Sequence, residues 1–235
     1  MEGLWNGIRG RKGFLLLVGE SGLGKTMVLE CLMDRLKEEG VEYGFVFHSR
    51  LGAEDLFEML RVDFGLGEEG SGKASLLIAL NSLLLKAAER GKTVALLVDD
   101  AHQMSTEVLE EIELLANLET RQGKLLQVVF AARPEFEDRL GEQVLKGLRT
   151  RVMRRLRLGP LRENETAEYI GVRLKRQRGR AVVPEELFGE IHRRSGGVPR
   201  MITALCGAAI ERCEEQGEVV VSGEMLETVA GEFGV

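Results

Sequence analysis

Phe14-Leu15-Leu16-Leu17-Val18 runs directly into Gly19-Glu20-Ser21-Gly22-Leu23-Gly24-Lys25-Thr26, and this junction decides how the chain is read. An apolar run of five residues is a buried strand. The pattern Met27, Val28, Leu29, Leu32, Met33 and Leu36, closed by Gly40, is helical. Strand, glycine loop and helix with the G-x-x-x-x-G-K-T spacing make a phosphate-binding P-loop. Glycines let the backbone N–H groups approach a phosphate, and the helix N-terminus adds partial positive charge. The binding stretch is Glu20, Ser21, Gly22, Leu23, Gly24, Lys25, Thr26 and Met27. Lys25 is expected to reach the β- and γ-phosphates, and Thr26 to put its hydroxyl on Mg²⁺. The expected ligands are therefore ATP and Mg²⁺.

A second stretch fits the first. Val94-Ala95-Leu96-Leu97-Val98 ends in Asp99-Asp100-Ala101-His102. A parallel strand buried on both faces reads as a continuous apolar run, and its carboxyl end opens on the ligand crevice. This is the Walker B pattern. Asp99 is expected to hold Mg²⁺ through water, and Asp100 stands where a general base activates the attacking water.

The rest of the chain alternates strand and helix up to Gly159-Pro160. Further strands are expected over Val41 to His48, Leu125 to Ala131 and Val152 to Leu158. Helices are expected over Ala53 to Phe64, Ala74 to Arg90, Glu107 to Leu118 and Glu135 to Leu148, with Ser105 as an N-cap and Pro134 in a first turn. Residues 3 to 12 read as a helix tail or linker, and Gly65 to Gly72 as a flexible link. Beyond Leu161 the patterns are helical: Glu163 to Arg176, Pro184 to Arg194, Pro199 to Glu214 and Gly223 to Phe233. The division is an α/β core over 1–159 and an all-helical lid over 160–235.

Composition excludes several classes. Of 235 residues, 44% are hydrophobic and 30% charged, as in ordinary globular proteins. The net charge of −6 argues against a surface coated for nucleic acid, but the charge is uneven. Arg149 to Arg200 holds 14 Lys/Arg and 6 Asp/Glu, a balance of +8 that leaves −14 elsewhere. No apolar run reaches the length of a membrane span, and the N-terminus lacks a signal-peptide core. Cys31, Cys206 and Cys213 form no C-x-x-C pair and read as reduced thiols of a cytoplasmic protein, the last two on one helix face. His48, His102 and His192 are too scattered for a zinc pattern.

The order of motifs resembles the AAA+ ATPases, and more specifically the ExeA/GspA-type secretion ATPases. The resemblance is carried by Leu114-Leu115-Ala116-Asn117-Leu118-Glu119-Thr120, Lys124-Leu125-Leu126-Gln127, Ala132-Arg133-Pro134-Glu135-Phe136 and Leu158-Gly159-Pro160-Leu161. It continues in Glu165-Thr166-Ala167-Glu168-Tyr169-Ile170 and Gly196-Gly197-Val198-Pro199-Arg200. It covers about residues 10 to 232. It implies a three-layer P-loop core with a five-stranded parallel sheet, a small helical lid, and roles for three arginines. Arg200 matches sensor 2, the lid arginine that reads the γ-phosphate. Arg151 matches an arginine finger supplied to a neighbouring subunit, with Arg149 as the alternative. Arg133 stands at the sensor 1 position.

The sequence departs from that pattern. The family usually has Glu where Asp100 stands, and a carboxylate misplaced by about 1 Å can cost roughly 100-fold in rate. It usually has Gln at the Arg133 position. It usually begins earlier and continues into a membrane anchor and a periplasmic cell-wall-binding part, so a fragment or a stand-alone module is expected. Three functions compete. The first is an ATP hydrolase that drives assembly of a secretion or envelope complex as a homo-oligomer or ring, on the cytoplasmic face of the inner membrane through a partner. The second is a DNA-transposition regulator of the TniB type, using Arg149 to Arg157 with Arg173, Lys175, Arg176, Arg178 and Arg180; a charged lid face is the plainer explanation of those residues. The third is a nucleotide-binding scaffold with little hydrolysis.

Overall fold

The structure, a computed structural model, describes residues 1–48, 50–67, 72–120, 123–175 and 181–235. The centre of the expected Gly65–Gly72 link, residues 68–71, lies outside the described residues. So do Arg176, Arg178 and Arg180 of the basic tract. The chain divides into two compact units. Met1–Glu20 with Lys25–Leu158 forms the first, and Ser21–Gly24 with Gly159–Val235 the second.

The first unit is built on five parallel strands, β1 (Phe14–Val18), β2 (Glu42–Val46), β3 (Val94–Val98), β6 (Leu126–Ala132) and β7 (Val152–Arg157). Their order in the sheet is β2-β3-β6-β1-β7. Three of them, β1, β3 and β6, are buried at every residue, which explains why they read as unbroken apolar runs. Because strand side chains alternate, each run feeds two cores. Phe14, Leu16, Leu96 and Phe130 point to one face, against α3 (Ala53–Asp63), α4 (Lys73–Glu89) and α5 (Thr106–Leu115). Leu15, Leu17, Leu97 and Val129 point to the other, against α1 (Glu2–Arg9) and α2 (Lys25–Glu38). The result is the expected three-layer core. Leu29, Leu32 and Leu36 of α2 are fully buried, each contributing about 1.5–3 kcal/mol of transfer free energy. In α1, read from sequence as a helix tail or linker, Trp5 is buried beneath the Arg35 guanidinium, 4.8 Å above its ring.

Local chemistry sets the ends of elements as expected in two places. The Ser105 hydroxyl accepts the Val108 N–H at 3.2 Å and starts α5. Pro134 sits in helical conformation ahead of α6 (Glu135–Arg139).

Two expectations are corrected. The single helix expected over Glu135 to Leu148 is three pieces: α6, a 3₁₀ turn at Gln143–Leu145, and α7 (Lys146–Arg151). Gly141 turns back on Asp138, whose carbonyl oxygen would lie 2.8 Å from a Cβ placed there. The helix expected to run to Leu118 stops at Leu115, and two short antiparallel strands follow, β4 (Glu119–Thr120) against β5 (Gly123–Lys124).

Gln127 is a fully buried polar residue inside β6. Its side chain accepts the Gly13 N–H at 2.7 Å and donates to the Lys124 carbonyl at 2.7 Å. It thereby fixes the entry to β1, which feeds the P-loop.

The second unit is helical: α8 (Glu163–Lys175), α9 (Phe188–Ser195), α10 (Pro199–Glu215) and α11 (Gly223–Phe233), with a 3₁₀ turn at Glu185–Leu187. Ile170, Ile191, Ile202, Leu205, Ile210 and Leu226 form its own core. Cys206 and Cys213 are buried on α10, and burial pushes the Cys206 thiol up to about 11, so it behaves as a small apolar residue. Cys31 is exposed on α2. Among the described residues no helix is long and apolar enough to cross a membrane.

Replacing Gln127 by Met keeps the volume and strands one buried and one half-buried backbone group. The expected loss is about 1–3 kcal/mol, read as a lower urea midpoint with an unchanged slope. An unchanged midpoint would contradict the role given to this side chain.

Candidate functional site

The loop after β1 has the geometry its glycines permit. Gly22 and Gly24 adopt φ of +84° and +92°, which side-chain-bearing residues rarely do. At the head of α2, the Lys25 ammonium donates to the carbonyl oxygens of Gly19 at 2.9 Å and Glu20 at 3.1 Å. Burial lowers its pKa. The carboxylates of Asp100 and Asp99 counter that, and Arg133 adds to the lowering.

Thr26 follows. Its hydroxyl donates to Asp99 Oδ2 at 2.6 Å, between residues 73 positions apart in sequence. The other oxygen, Oδ1, accepts the Asp100 N–H at 2.8 Å. The two side chains expected to share a metal ion are therefore in contact. A hydroxyl and a carboxylate are hard oxygen donors of the kind Mg²⁺ takes. The residues fit the ion.

Asp100 sits in the left-handed region, at φ +48°, ψ +37°. Such a backbone is strained for most residues, and Asp is among those that enter it at least cost. Its side chain is 47% exposed. A 3₁₀ turn, Ala101–Gln103, follows, and Arg139 at the end of α6 holds it. The Arg139 guanidinium donates to the carbonyls of His102 at 2.8 Å and Met104 at 2.9 Å. Sequence reasoning missed Arg139, because only the short α6 brings it to this turn. The spacing of Arg133 and Arg139 carries no motif.

Arg133 ends up close enough for its field to act on both Lys25 and His102. Arg151 lies at the end of α7, bonded to the Asn117 side chain and paired with Glu113 at 3.0 Å. Both partners belong to the same chain. Arg149, the alternative finger, is exposed on the same helix. Within the second unit, Arg200 donates its backbone N–H to the Gly22 carbonyl at 3.2 Å and its guanidinium to the Ser21 hydroxyl at 3.1 Å. A Cβ on Gly22 would meet Val198 and Arg200 at 3.1 Å, so glycine is needed there for contact as well as for φ. The turn before Arg200 is equally close-packed: a Cβ on Gly197 would lie 2.2 Å from the Leu161 carbonyl oxygen. Met27 and Glu20 are exposed, and Leu23 is buried.

This sheet order, this loop and this pair of acids define a P-loop NTPase, and the AAA domain family matches residues 8–140. The chain belongs to that family. It is of the type of general secretion pathway protein A: to that protein from Aeromonas hydrophila it is 35% identical over 208 residues, 87% of this chain and 38% of the relative. The chain thus spans well under half of that relative's length. Among solved structures it is similar to Cdc6p from Pyrobaculum aerophilum (TM-score 0.73, 16% identity, 97% of this chain and 64% of that one). It is likewise similar to the ADP form of the ORC2 protein from Aeropyrum pernix (TM-score 0.74, 13% identity, 98% and 66%). At such identities the likeness is one of fold.

Burial lowers the His102 pKa below its ordinary 6.5, with Asp100 opposing the shift and Arg133 reinforcing it. A folded value below the unfolded one means that the unfolded chain takes up this proton first as the pH falls. The group leaves stability undiminished above about pH 6.5 and erodes it progressively below. In paired urea titrations between pH 7.5 and 5, His102→Asn should lose less stability than the wild type. Parallel losses would contradict the shift.

Proposed function

We propose that this chain binds Mg²⁺-ATP and hydrolyses it, and that the turnover drives assembly or remodelling of a secretion or envelope complex. The observation that carries the reading is the Thr26–Asp99 contact at 2.6 Å, beside Lys25 and Asp100. In the proposed mechanism the loop from Glu20 to Met27 binds the phosphates through its backbone N–H groups, and Lys25 leaves its own carbonyl partners for the β- and γ-phosphates. Thr26 and Asp99 hold the Mg²⁺, which neutralises phosphate charge when bound. Asp100 accepts the proton of the attacking water. Arg133 stabilises charge on the transferred group, and Arg200 contributes a second guanidinium from the helical unit.

The proposed working form is a homo-oligomer in which Arg151 serves a neighbour's nucleotide. Its pairing with Glu113 and Asn117 then keeps that guanidinium oriented until the neighbour arrives. The secretion assignment is supported by the relative's name and by the resemblance, and implies a cytoplasmic protein with a partner at the inner membrane. A DNA-binding role receives less support. Arg155 and Arg157 of β7 are exposed, but both face Glu137, at 4.0 and 2.6 Å.

Lys25→Ala should abolish phosphate release or ATP binding. Equal, background-level release by the wild type and Lys25→Ala, with tight ATP binding by the wild type, would replace hydrolysis with a scaffold role. Arg151→Ala should bind ATP normally, turn over more slowly, and regain rate when mixed with an Asp100-defective subunit. No regain would remove the shared-site reading.

A further inference from the structure

We infer that His102 is a positioning residue for Asp100, closing its Nδ1–H onto Asp100 Oδ1 so that the short carboxylate is held from two sides. This rests on the hydrolytic reading above.

Three observations meet here. First, His102 is 12% exposed, and its Nδ1 is buried without a hydrogen-bond partner. A buried ring nitrogen in that condition is costly and seeks a partner. Second, an acceptor, Asp100 Oδ1, lies 3.8 Å away. That is too long for a hydrogen bond, and about 1 Å of side-chain movement closes it. A neighbouring carboxylate selects the tautomer with its proton on Nδ1, because a lone pair on that nitrogen would face negative charge. Third, the opposite oxygen, Oδ2, already has the Gln103 amide at 3.5 Å.

The need for such a clamp follows from the site. Asp100 is half exposed, on a strained backbone, and one methylene shorter than Glu. Nothing else described fixes the direction of its carboxylate. With Oδ1 taken by His102, Oδ2 is left to accept a proton from water. The backbone that carries the ring is fixed, since Arg139 donates to the His102 carbonyl. The charged groups around the ring are Asp100 on its own turn, Arg133 at the end of β6, Glu135 on α6 and Lys25 on α2. The two cations oppose a charge on the ring. A neutral ring serves the purpose, because it orients Asp100 without quenching its basicity as an imidazolium would.

The test combines kinetics with a measurement that needs no turnover. His102→Phe, which fills the space without a donor, should lower kcat about tenfold or more and leave the ATP KM within about twofold. His102→Asn, whose amide can stand in for Nδ1–H, should recover most of the rate. In ¹⁵N spectra of the nucleotide-free wild type, the His102 ring should carry its proton on Nδ1. Asp100→Asn should lower the ring's titration midpoint by about half a unit or more. If Lys25→Ala abolishes phosphate release while His102→Phe does not slow it, the positioning role is overturned and the hydrolytic reading stands. If release does not depend on Lys25, the hydrolytic reading falls and takes this role with it. A ring protonated on Nε2, or indifferent to Asp100→Asn, overturns the contact even if His102→Phe folds poorly.

Discussion

The hydrogen bond from Thr26 to Asp99 is the constraint on which the rest of the core depends. It joins the head of α2, which the loop after β1 leads into, to the end of β3; β1 and β3 are not neighbours, because β6 lies between them. Only a sheet whose strands run parallel, with their carboxyl ends on one edge, delivers both residues to the same place. The register supports this: Val18 stands opposite Ala132, and Val98 opposite Phe130. Asp99 uses both oxygens, one for Thr26 and one for the Asp100 N–H. The side chain that reaches the P-loop therefore also shapes the turn that presents the next carboxylate.

Charge in this region is arranged in opposition. Lys25 and His102 both lose affinity for their protons by burial, both are opposed in this by Asp100, and both feel Arg133. Asp100 in place of Glu can be understood in the same setting. A left-handed backbone favours Asp over longer side chains, so the turn and the short carboxylate suit each other. The consequence is a carboxylate with little reach and considerable exposure.

Much of this was legible in the residues. The apolar strands were readable because both their faces are covered, and the P-loop because its spacing is a steric requirement. The antiparallel pair β4–β5 was not, since two-residue strands carry no alternation. The break after α6 was missed because the apolar spacing of Phe136, Leu140 and Leu148 continues across it; the backbone turns at Gly141 while the buried face persists. Gln127 falls inside the expected strand Leu125 to Ala131, but its two backbone partners exist only in the fold. Arg151 could be placed before β7 from sequence, but not its attachment to Glu113 and Asn117 of its own chain.

The central claim is that a hydroxyl and a carboxylate far apart in sequence share one metal ion. The most direct measurement is a crystal structure with ADP, beryllium fluoride and Mn²⁺ in place of Mg²⁺, the ion located by its anomalous signal. The account predicts that the ion would be held by Thr26 and by Asp99, directly or through its waters. An ion bound to the phosphates but out of reach of either Thr26 or Asp99 would contradict it.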